Sequence, residues 1–345
     1  MAVSFWDRIK EEKKPVVIYG TGNGADRLID RLRLGGIKVG GVFASDGFVR
    51  DRSFRGFKVM SLSGARELFG DDMLILLGFG SDRAEVVSSV KRLSGELRVA
   101  CPRIPLYDDV FIDSSFIPLM RERFASLAGR LADEESRRTL SAIEDYRISG
   151  DLQYLFGCEG SEDDTFRSIL DLCGSEDYWD IGAYRGDTID LFLRHAGTFS
   201  SIGAVEPDGK SFEKLTEHTA GIENVSLFNV FCSDVSGTEE FSSGSGRGSS
   251  SGSGRPVVSG TLDELTGGGR VSFLKIDAEG AEEKVLMGCR GTIEKYRPKM
   301  KIAVYHKADD IWRIPEVING IRDDYRIYLR HYPAFPDWNT EMIFV

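Results

Sequence analysis

The stretch that decides the fold is Tyr178-Trp179-Asp180-Ile181-Gly182-Ala183-Tyr184-Arg185-Gly186-Asp187. Its pattern predicts the end of a buried strand, an acid at the strand tip, a glycine turn and a helix that starts at Asp187. Gly182 and Gly186 allow backbone angles and close contacts that a Cβ would prevent. Such a junction lies at the carboxyl edge of an α/β sheet, where ligands of doubly wound folds bind. The Asp180 carboxylate favours a ligand with an amine or hydroxyl groups, because it would repel a phosphate.

Three further predicted strands end in acidic residues, as the first does. The strands and their tips are residues 201–205 with Glu206-Pro207-Asp208, residues 225–231 with Cys232-Ser233-Asp234, and residues 271–276 with Asp277-Ala278-Glu279. Because the tips of parallel strands share one edge of a sheet, we expect these carboxylates to lie together. A single strand-end carboxylate is also a common helix N-cap, so a structural role stays open for each of them.

The last third of the chain completes this sheet. A strand over residues 300–305 ends at His306, and Pro315 is expected to open the next helix at its first turn. Two alternating runs, residues 325–331 and 341–345, predict an antiparallel pair at the sheet edge.

The N-terminal region contains a second strand–turn–helix junction. An apolar strand over residues 15–19 leads into Gly20-Thr21-Gly22-Asn23-Gly24-Ala25, which fits G-x-G-x-x-A, the dinucleotide fingerprint with alanine in its third glycine position. Asp46 follows the next strand at about the spacing expected of a ribose-binding acid. The same turn is typical of any tight strand-to-helix junction, so binding of a dinucleotide or nucleotide-sugar here is the alternative function.

We predict two α/β domains with helices between them. Residues 1–105 are expected to form a small Rossmann-like parallel-sheet domain, and residues 166–345 a larger doubly wound sheet. Residues 106–165 alternate apolar and charged side chains at helical spacing, which predicts a helical bridging segment. Residues 242–254 are almost entirely serine and glycine, which is typical of a flexible surface loop.

Composition excludes several functional classes. The chain has 345 residues and a net charge of −11, whereas a nucleic-acid-binding protein needs a positive face. No apolar run approaches the roughly 20 residues that span a membrane. Five cysteines, without C-x-x-C spacing, predict free thiols in a reducing compartment, no zinc site and a cytoplasmic location. The expected partners are a small-molecule or glycan acceptor and a possible homodimer.

The strand-tip pattern favours S-adenosylmethionine as cofactor. This molecule has an amine, a ribose diol and an adenine but no phosphate, and the turn has no P-loop lysine. An acid at the second strand tip can accept hydrogen bonds from both ribose hydroxyls, as in dinucleotide-binding folds. Charge-assisted hydrogen bonds of this kind are strong.

The second domain resembles the FkbM-type S-adenosylmethionine-dependent methyltransferases. The resemblance covers roughly residues 165–345, and its most specific motif is Lys275-Ile276-Asp277-Ala278-Glu279-Gly280-Ala281-Glu282. It implies a seven-stranded sheet whose last strand is antiparallel, and an N-terminal Rossmann-like domain is similar to that of some members. It also implies O-methylation of a hydroxyl on a sugar, glycan or secondary metabolite.

Roles for single residues follow from the same resemblance. The resemblance implies that the methionyl part of the cofactor is held by Asp180, Gly182 and Gly186, with Ala183 between the two glycines. It implies that Glu206, with Pro207, binds the ribose. It also implies that Ser233 and Asp234 lie beside the adenine.

Methyl transfer to an alcohol needs a base, because a hydroxyl is a poor nucleophile. The candidates at the predicted sheet edge are Asp277, Glu279 and His306, and histidine titrates near neutral pH. Each has a structural alternative: His306 as a hydrogen-bonded strand end, and the two acids as helix caps or ligands of a divalent ion. We predict no metal, because the sequence shows no denser ligand cluster. A non-enzymatic scaffold with the same shape is a third hypothesis.

Overall fold

The computed structural model describes residues 3–45, 47, 49, 52–242, 250–251 and 255–345. Asp46 and most of the predicted serine–glycine loop therefore lie outside the described residues. The chain divides into two compact units. The first unit is Met1–Gly129, Glu134–Gly160 and His331–Asn339, and the second is Arg130–Asp133, Ser161–Arg330 and Thr340–Val345. Most of the predicted bridging segment, residues 106–129 and 134–160, is part of the first unit.

The first unit contains a six-stranded sheet in the order β3-β4-β2-β1-β5-β6. Its strands are β1 Val16–Tyr19, β2 Val39–Phe43, β3 Ser53–Phe54, β4 Phe57–Met60, β5 Leu74–Leu77 and β6 Arg98–Ala100. All neighbouring pairs are parallel except β3 and β4. The central strands are continuous apolar runs because helices cover both faces of a parallel sheet.

Among the described residues, the first unit has seven α-helices around this sheet or after it. They are α1 Phe5–Arg8, α2 Asn23–Leu34, α3 Leu62–Phe69, α4 Ala84–Glu96, α5 Ile117–Ala128, α6 Glu134–Ser149 and α7 Leu152–Phe156. A 3₁₀ turn, Ile9–Glu11, extends α1. The predicted small Rossmann-like domain is confirmed as a parallel-sheet fold.

The second unit contains a seven-stranded sheet in the order β16-β17-β15-β14-β7-β8-β9. Its strands are β7 Asp177–Ile181, β8 Ser201–Val205, β9 Val225–Phe228, β14 Phe273–Ile276, β15 Lys299–Ala303, β16 Ile327–His331 and β17 Thr340–Phe344. Strands β7, β8, β9, β14 and β15 are parallel, and β17 runs antiparallel to β15. The doubly wound sheet with an antiparallel last strand is therefore confirmed.

In the part of this unit that the structure describes, there are also a smaller four-stranded sheet and seven α-helices. The small sheet has the order β10-β13-β11-β12, with β10 Phe231–Cys232, β11 Gly237–Ser242, β12 Ser250–Ser251 and β13 Arg255–Gly260. The helices are α8 Glu162–Thr165, α9 Asp187–Ala196, α10 Gly209–Thr219, α11 Leu262–Leu265, α12 Glu282–Gly288, α13 Arg290–Tyr296 and α14 Asp310–Ile321. A π-helical turn, Phe166–Leu170, follows α8.

Stacked aromatic rings form the core beside the central strands. The Tyr178 ring lies 4.3 Å from that of Phe192 and 5.0 Å from that of Phe273, which joins α9 to β7 and β14. On the other face of β7, the Trp179 ring stacks on Phe228 at 5.4 Å. Such pairs are each worth about 0.5–1.5 kcal/mol beyond the area they bury, so they stabilise the packing of α9 on these strands.

Two details of the predicted fold are wrong. The strand predicted over residues 225–231 ends at Phe228, because Asn229 turns away and its side chain donates to the Glu206 carbonyl at 2.8 Å. Phe231–Cys232 instead pairs with β13 in the small sheet. Pro315 does not open a helix: α14 starts five residues earlier, and Asp309 accepts its first backbone hydrogen bonds.

All five cysteines are free thiols, as the sequence predicted. In the part of the chain that the structure describes, no helix has both the length and the hydropathy needed to cross a membrane.

Candidate functional site

The tips of β7, β8 and β14 lie side by side at the carboxyl edge of the large sheet. Ile181 at the end of β7 is in register with Val205 on one side and Ile276 on the other. The turn after β7 begins immediately, and the backbone N–H groups of Gly182 and Ala183 both donate to the Val205 carbonyl at 3.0 Å. Residues after these three tips are therefore close neighbours, as the sequence predicted for them.

The glycine turn requires its two glycines. Gly182 has a φ of +78° and Gly186 a φ of +97°, a region that favours glycine. A Cβ at Gly182 would overlap the backbone carbonyl of Asp277, and one at Gly186 would lie 2.7 Å from the His218 ring. Gly182 therefore lets the turn after β7 pack directly on the loop after β14. Ala183, between the two, is fully buried.

Asp180 lies on β7, just before this turn. Its side chain is completely buried, with Oδ1 3.2 Å from Lys275 Nζ, and Oδ2 accepts a hydrogen bond from Thr188. Lys275 Nζ also donates to the Gly182 carbonyl at 2.9 Å. Burial acts to lower the pKa of Lys275, but the charges of Asp180, Asp277 and Asp187 together outweigh it and raise that pKa. Asp180 thus holds the turn in place, and its direct contact with a cofactor stays a prediction.

Glu206 follows β8 and is buried, with 7% of its surface exposed. Its Oε2 accepts the Tyr184 N–H at 2.9 Å, and its Oε1 accepts the Asp208 N–H at 2.8 Å. Burial raises the pKa of Glu206 to about 7, although these hydrogen bonds act to lower it. A carboxylate has about four acceptor positions, so two remain beyond these bonds, enough for the two hydroxyls of a ribose. Pro207 follows, half-buried.

Ser233 and Asp234 follow β10, in the small sheet, and not a strand of the large one. Ser233 is fully buried, and its hydroxyl hydrogen-bonds to Asp234 Oδ1 at 3.1 Å and to Glu239. Asp234 is exposed. A Cβ at Gly288 would overlap the Ser233 carbonyl, so this segment packs on α12. Their predicted contact with adenine stays a prediction.

The three predicted catalytic residues come together around the buried His306. Its Nε2 lies 3.5 Å from Asp277 Oδ1 and 3.4 Å from Glu279 Oε2. Its Nδ1 lies 2.9 Å from Oε1 of Glu282, a residue that the sequence analysis included in a motif but gave no role. Glu282 also accepts the backbone N–H groups of Ala278 at 2.8 Å and Gly280 at 3.3 Å. It therefore shapes the loop that presents the other two acids.

Electrostatics make His306 a poor general base. Burial acts to lower its pKa, but the charges of Glu282 and Glu279 and hydrogen bonds to them raise it well above its usual value. These carboxylates therefore favour the protonated form of His306. Burial, and then the charge of Glu282, raise the pKa of the nearby Asp310 to about 7. Asp277 and Glu279, with side chains 31% and 28% exposed, are left as the accessible acids.

Glu279 has an unusual backbone. Its φ is +51°, and Gly280 beside it has a φ of +90°. The left-handed region costs a residue with a side chain roughly 1–2 kcal/mol. Strained residues of this kind are concentrated at functional sites, although the strain alone does not assign a function.

The N-terminal G-x-G-x-x-A turn has a simple packing explanation. A Cβ at Gly24 would lie 2.7 Å from the Gly78 carbonyl, and one at Gly78 would lie 2.7 Å from the Ala25 Cβ. Small residues therefore let α2 pack closely on the end of β5. Binding of a nucleotide-sugar or dinucleotide at this turn stays a hypothesis.

Comparison with known proteins assigns the larger domain. A family model described as a methyltransferase FkbM domain matches residues 180–342, which include the glycine turn, Glu206 and the His306 cluster. The C-terminal domain belongs to the FkbM methyltransferase family. The chain is thus a methyltransferase, and its cofactor is S-adenosylmethionine. No curated protein matches the sequence significantly.

The fold agrees with a solved FkbM methyltransferase. The crystal structure of methyltransferase FkbM from Methylobacillus flagellatus KT aligns with a TM-score of 0.76 and 21% identity, over 100% of this chain and 95% of that one. A precorrin-6y C5,15-methyltransferase from Geobacter metallireducens GS-15 aligns over 53% of this chain and 85% of its own, with 16% identity and a TM-score of 0.34. That second likeness is too weak to add to the assignment.

Proposed function

We propose that this FkbM methyltransferase transfers the methyl group of S-adenosylmethionine to a hydroxyl of a sugar, glycan or secondary metabolite. The observation that supports it is the direct packing of the Asp277 backbone on Gly182. This contact brings accessible carboxylates next to the glycine turn, at the edge where the cofactor binds. An alcohol acceptor needs such a base, whereas an amine acceptor can attack without one.

The residues around the turn fit the cofactor. Glu206 has acceptor positions left for ribose hydroxyls, and its burial, which raises its pKa, leaves the carboxyl with little contact with solvent. The Lys275–Asp180 pair fixes the turn, so that the edge is formed before a ligand arrives. When bound, S-adenosylmethionine supplies an electrophilic methyl group on a sulfonium.

Glu279 is the base that we propose. It is accessible, it is held by a loop that Glu282 shapes, and its contact with His306 Nε2 directs the carboxylate. Its task is to accept the proton of the acceptor hydroxyl, which contributes typically about 10²–10⁴-fold to the rate. Orientation of the acceptor by the surrounding loops supplies a further part of the acceleration, up to roughly 7–11 kcal/mol.

The proposal is tested by incubating the full chain with methyl-labelled cofactor and a panel of acceptors. The panel contains sugars, glycosides, nucleotide-sugars and polyketide alcohols, together with amine, thiol and carboxylic acid controls. We expect label in an O-methyl ether, identified by mass spectrometry and NMR. Label only in amine, thiol or carboxyl products would reject the alcohol class.

The base is tested in the same assay with two glutamate variants. Glu279→Gln is expected to slow O-methylation by about 10²–10⁴-fold while it leaves binding of S-adenosylhomocysteine unchanged. Glu283→Gln is the matched control, because Glu283 lies on α12 and pairs with Arg313 at 2.6 Å. Equal rates for wild type and Glu279→Gln would reject Glu279 as the base. A cytoplasmic location and a homodimer stay predictions.

A further inference from the structure

The cluster around His306, which includes Asp277 and Glu282, contains more carboxylates than a single catalytic base requires. Asp277, Glu279 and Glu282 all have an oxygen within 3.5 Å of a His306 ring nitrogen. Glu282 is completely buried and Asp310 is 3% exposed. Buried carboxylates are stable only when they are paired, protonated or bound to a cation.

The geometry suits a metal ion. One ligand atom each from Asp277, Glu282 and His306 can be chosen so that all three lie within 4.8 Å of one another. In an octahedral site with metal–oxygen distances of about 2.1 Å, opposite ligand atoms are about 4.2 Å apart. Small side-chain movements would bring the three atoms into a common coordination sphere, because Asp277 and Glu282 each have an oxygen within 3.5 Å of a His306 ring nitrogen.

A second observation also indicates a ligand. The Oε2 atom of Glu282 is buried and accepts no hydrogen bond from any residue that the structure describes. Oε1 of the same carboxylate lies 2.9 Å from His306 Nδ1, so Oε2 is also beside the cluster. A buried carboxylate oxygen without a donor costs roughly 1–3 kcal/mol or more, and a cation would remove that cost.

We propose that Asp277, Glu282 and His306 bind one divalent cation. Two carboxylates balance its charge, and a ring nitrogen of His306 is the third ligand. Carboxylate oxygens with one imidazole select a hard or borderline ion such as Mg²⁺ or Mn²⁺ over a thiophilic one. Because Asp277 is partly exposed, solvent or an acceptor oxygen can complete the coordination.

The cation would act on the acceptor hydroxyl, a role that rests on the proposed O-methylation. A metal-bound hydroxyl loses its proton more readily, and the ion also fixes its position. Binding itself does not depend on that role, so the two are tested separately.

The experiment titrates the full chain, freed of metal with a chelator, with Mn²⁺ alone. Electron paramagnetic resonance measures free Mn²⁺, and calorimetry measures the heat. We expect one ion per chain, and at least about tenfold weaker binding in both Asp277→Asn and Glu282→Gln. Glu283→Gln, the neighbouring glutamate on α12, is expected to bind as wild type does.

Two results would overturn the site: no binding by wild type up to about 1 mM Mn²⁺, or wild-type affinity in Asp277→Asn. Asp277→Asn is the decisive variant, because the Glu282 substitution also removes hydrogen bonds that shape the loop. Circular dichroism and binding of S-adenosylhomocysteine verify that each variant is folded. If the wild-type protein binds S-adenosylhomocysteine but not Mn²⁺, the metal site alone is rejected. If it binds Mn²⁺ but gives no O-methylated product, only the proposed acceptor class is rejected.

Discussion

Replacing Glu206 by glutamine is expected to change how the stability of the C-terminal domain depends on pH. In the folded protein, burial raises the pKa of Glu206 from 4.5 to about 7. Between these two values the folded state holds a proton that the unfolded state has released. Glu206 therefore contributes stability that is present below about pH 4.5 and is lost as pH rises through about 7.

The size of the effect follows from the pKa. A rise from 4.5 to about 7, at about 1.4 kcal/mol for each pH unit, corresponds to about 3 kcal/mol. Between pH 5 and pH 8, where most of this range is crossed, wild type should lose about 2.5 kcal/mol through this residue. Glutamine has nearly the same shape and does not titrate, so the variant should lack this part of the pH dependence.

Urea unfolding at pH 5 and pH 8, for wild type and Glu206→Gln, measures this difference. The relevant transition is the one that S-adenosylhomocysteine shifts, because it reports the domain that binds the cofactor. All other titrating groups are common to both proteins, so the difference of the two pH effects isolates Glu206. Equal pH effects in both proteins would show that Glu206 is not held in a poorly solvated site.

The same pKa predicts the pH dependence of cofactor binding. If the ionised carboxylate is the form that accepts the ribose hydroxyls, affinity should fall about tenfold for each pH unit below about 7. It should be nearly constant above pH 8, and Glu206→Gln should bind weakly at every pH. A wild-type affinity that is constant from pH 5.5 to pH 8.5 would contradict this role.

Three further substitutions test the loops around the turn. Glu279→Gly should change the melting temperature by only a few degrees, because relief of about 1–2 kcal/mol of backbone strain offsets the added chain entropy of the unfolded state. O-methylation by this variant should fall by at least about 100-fold, and full activity would refute Glu279 as the base. Gly182→Ala should lower the free energy of unfolding by about 2–4 kcal/mol in urea, since its Cβ overlaps the Asp277 carbonyl, and an unchanged urea midpoint would contradict that packing. Lys275→Met should cost about 3–5 kcal/mol by leaving Asp180 buried and unpaired, and a second change, Asp180→Asn, should restore part of it; no restoration would mean that the lost charge pair is not the cause.

The sequence predicted the sheet edge well because its signals are local. Apolar runs that stop at an acid and a glycine predicted the tips at Asp180, Glu206 and Asp277. Asp180 lies near the end of β7, and the other two follow β8 and β14 of the same sheet. The prediction of a strand over residues 225–231 was wrong, because the apolar pattern continues to Phe231 although the chain leaves the large sheet after Phe228 and enters the small sheet. The hydrogen bond of Asn229 and the pairing of Phe231–Cys232 with β13 mark that change, and sequence periodicity does not detect it.

Contacts between strands explain what the sequence did not predict. From its place in the sequence, Asp180 was expected at an exposed strand tip. Strand register instead places it beside Lys275, whose ammonium lies 3.2 Å from its carboxylate. Glu282 lies five residues beyond Asp277, and it reaches the cluster only because Glu279 and Gly280 take left-handed backbone angles. Tertiary contacts of this kind have no periodic signature in the chain.

The most direct test of cofactor binding at this edge is a calorimetric titration with S-adenosylhomocysteine at pH 8. The three proteins are wild type, Glu206→Ala and Glu213→Ala, an exposed glutamate on α10 that serves as the control. We expect saturable binding of one ligand by wild type and by Glu213→Ala, and an affinity at least about tenfold lower for Glu206→Ala. No heat from wild type, or equal affinity in all three proteins, would contradict the placement of the cofactor at the tips of β7 and β8.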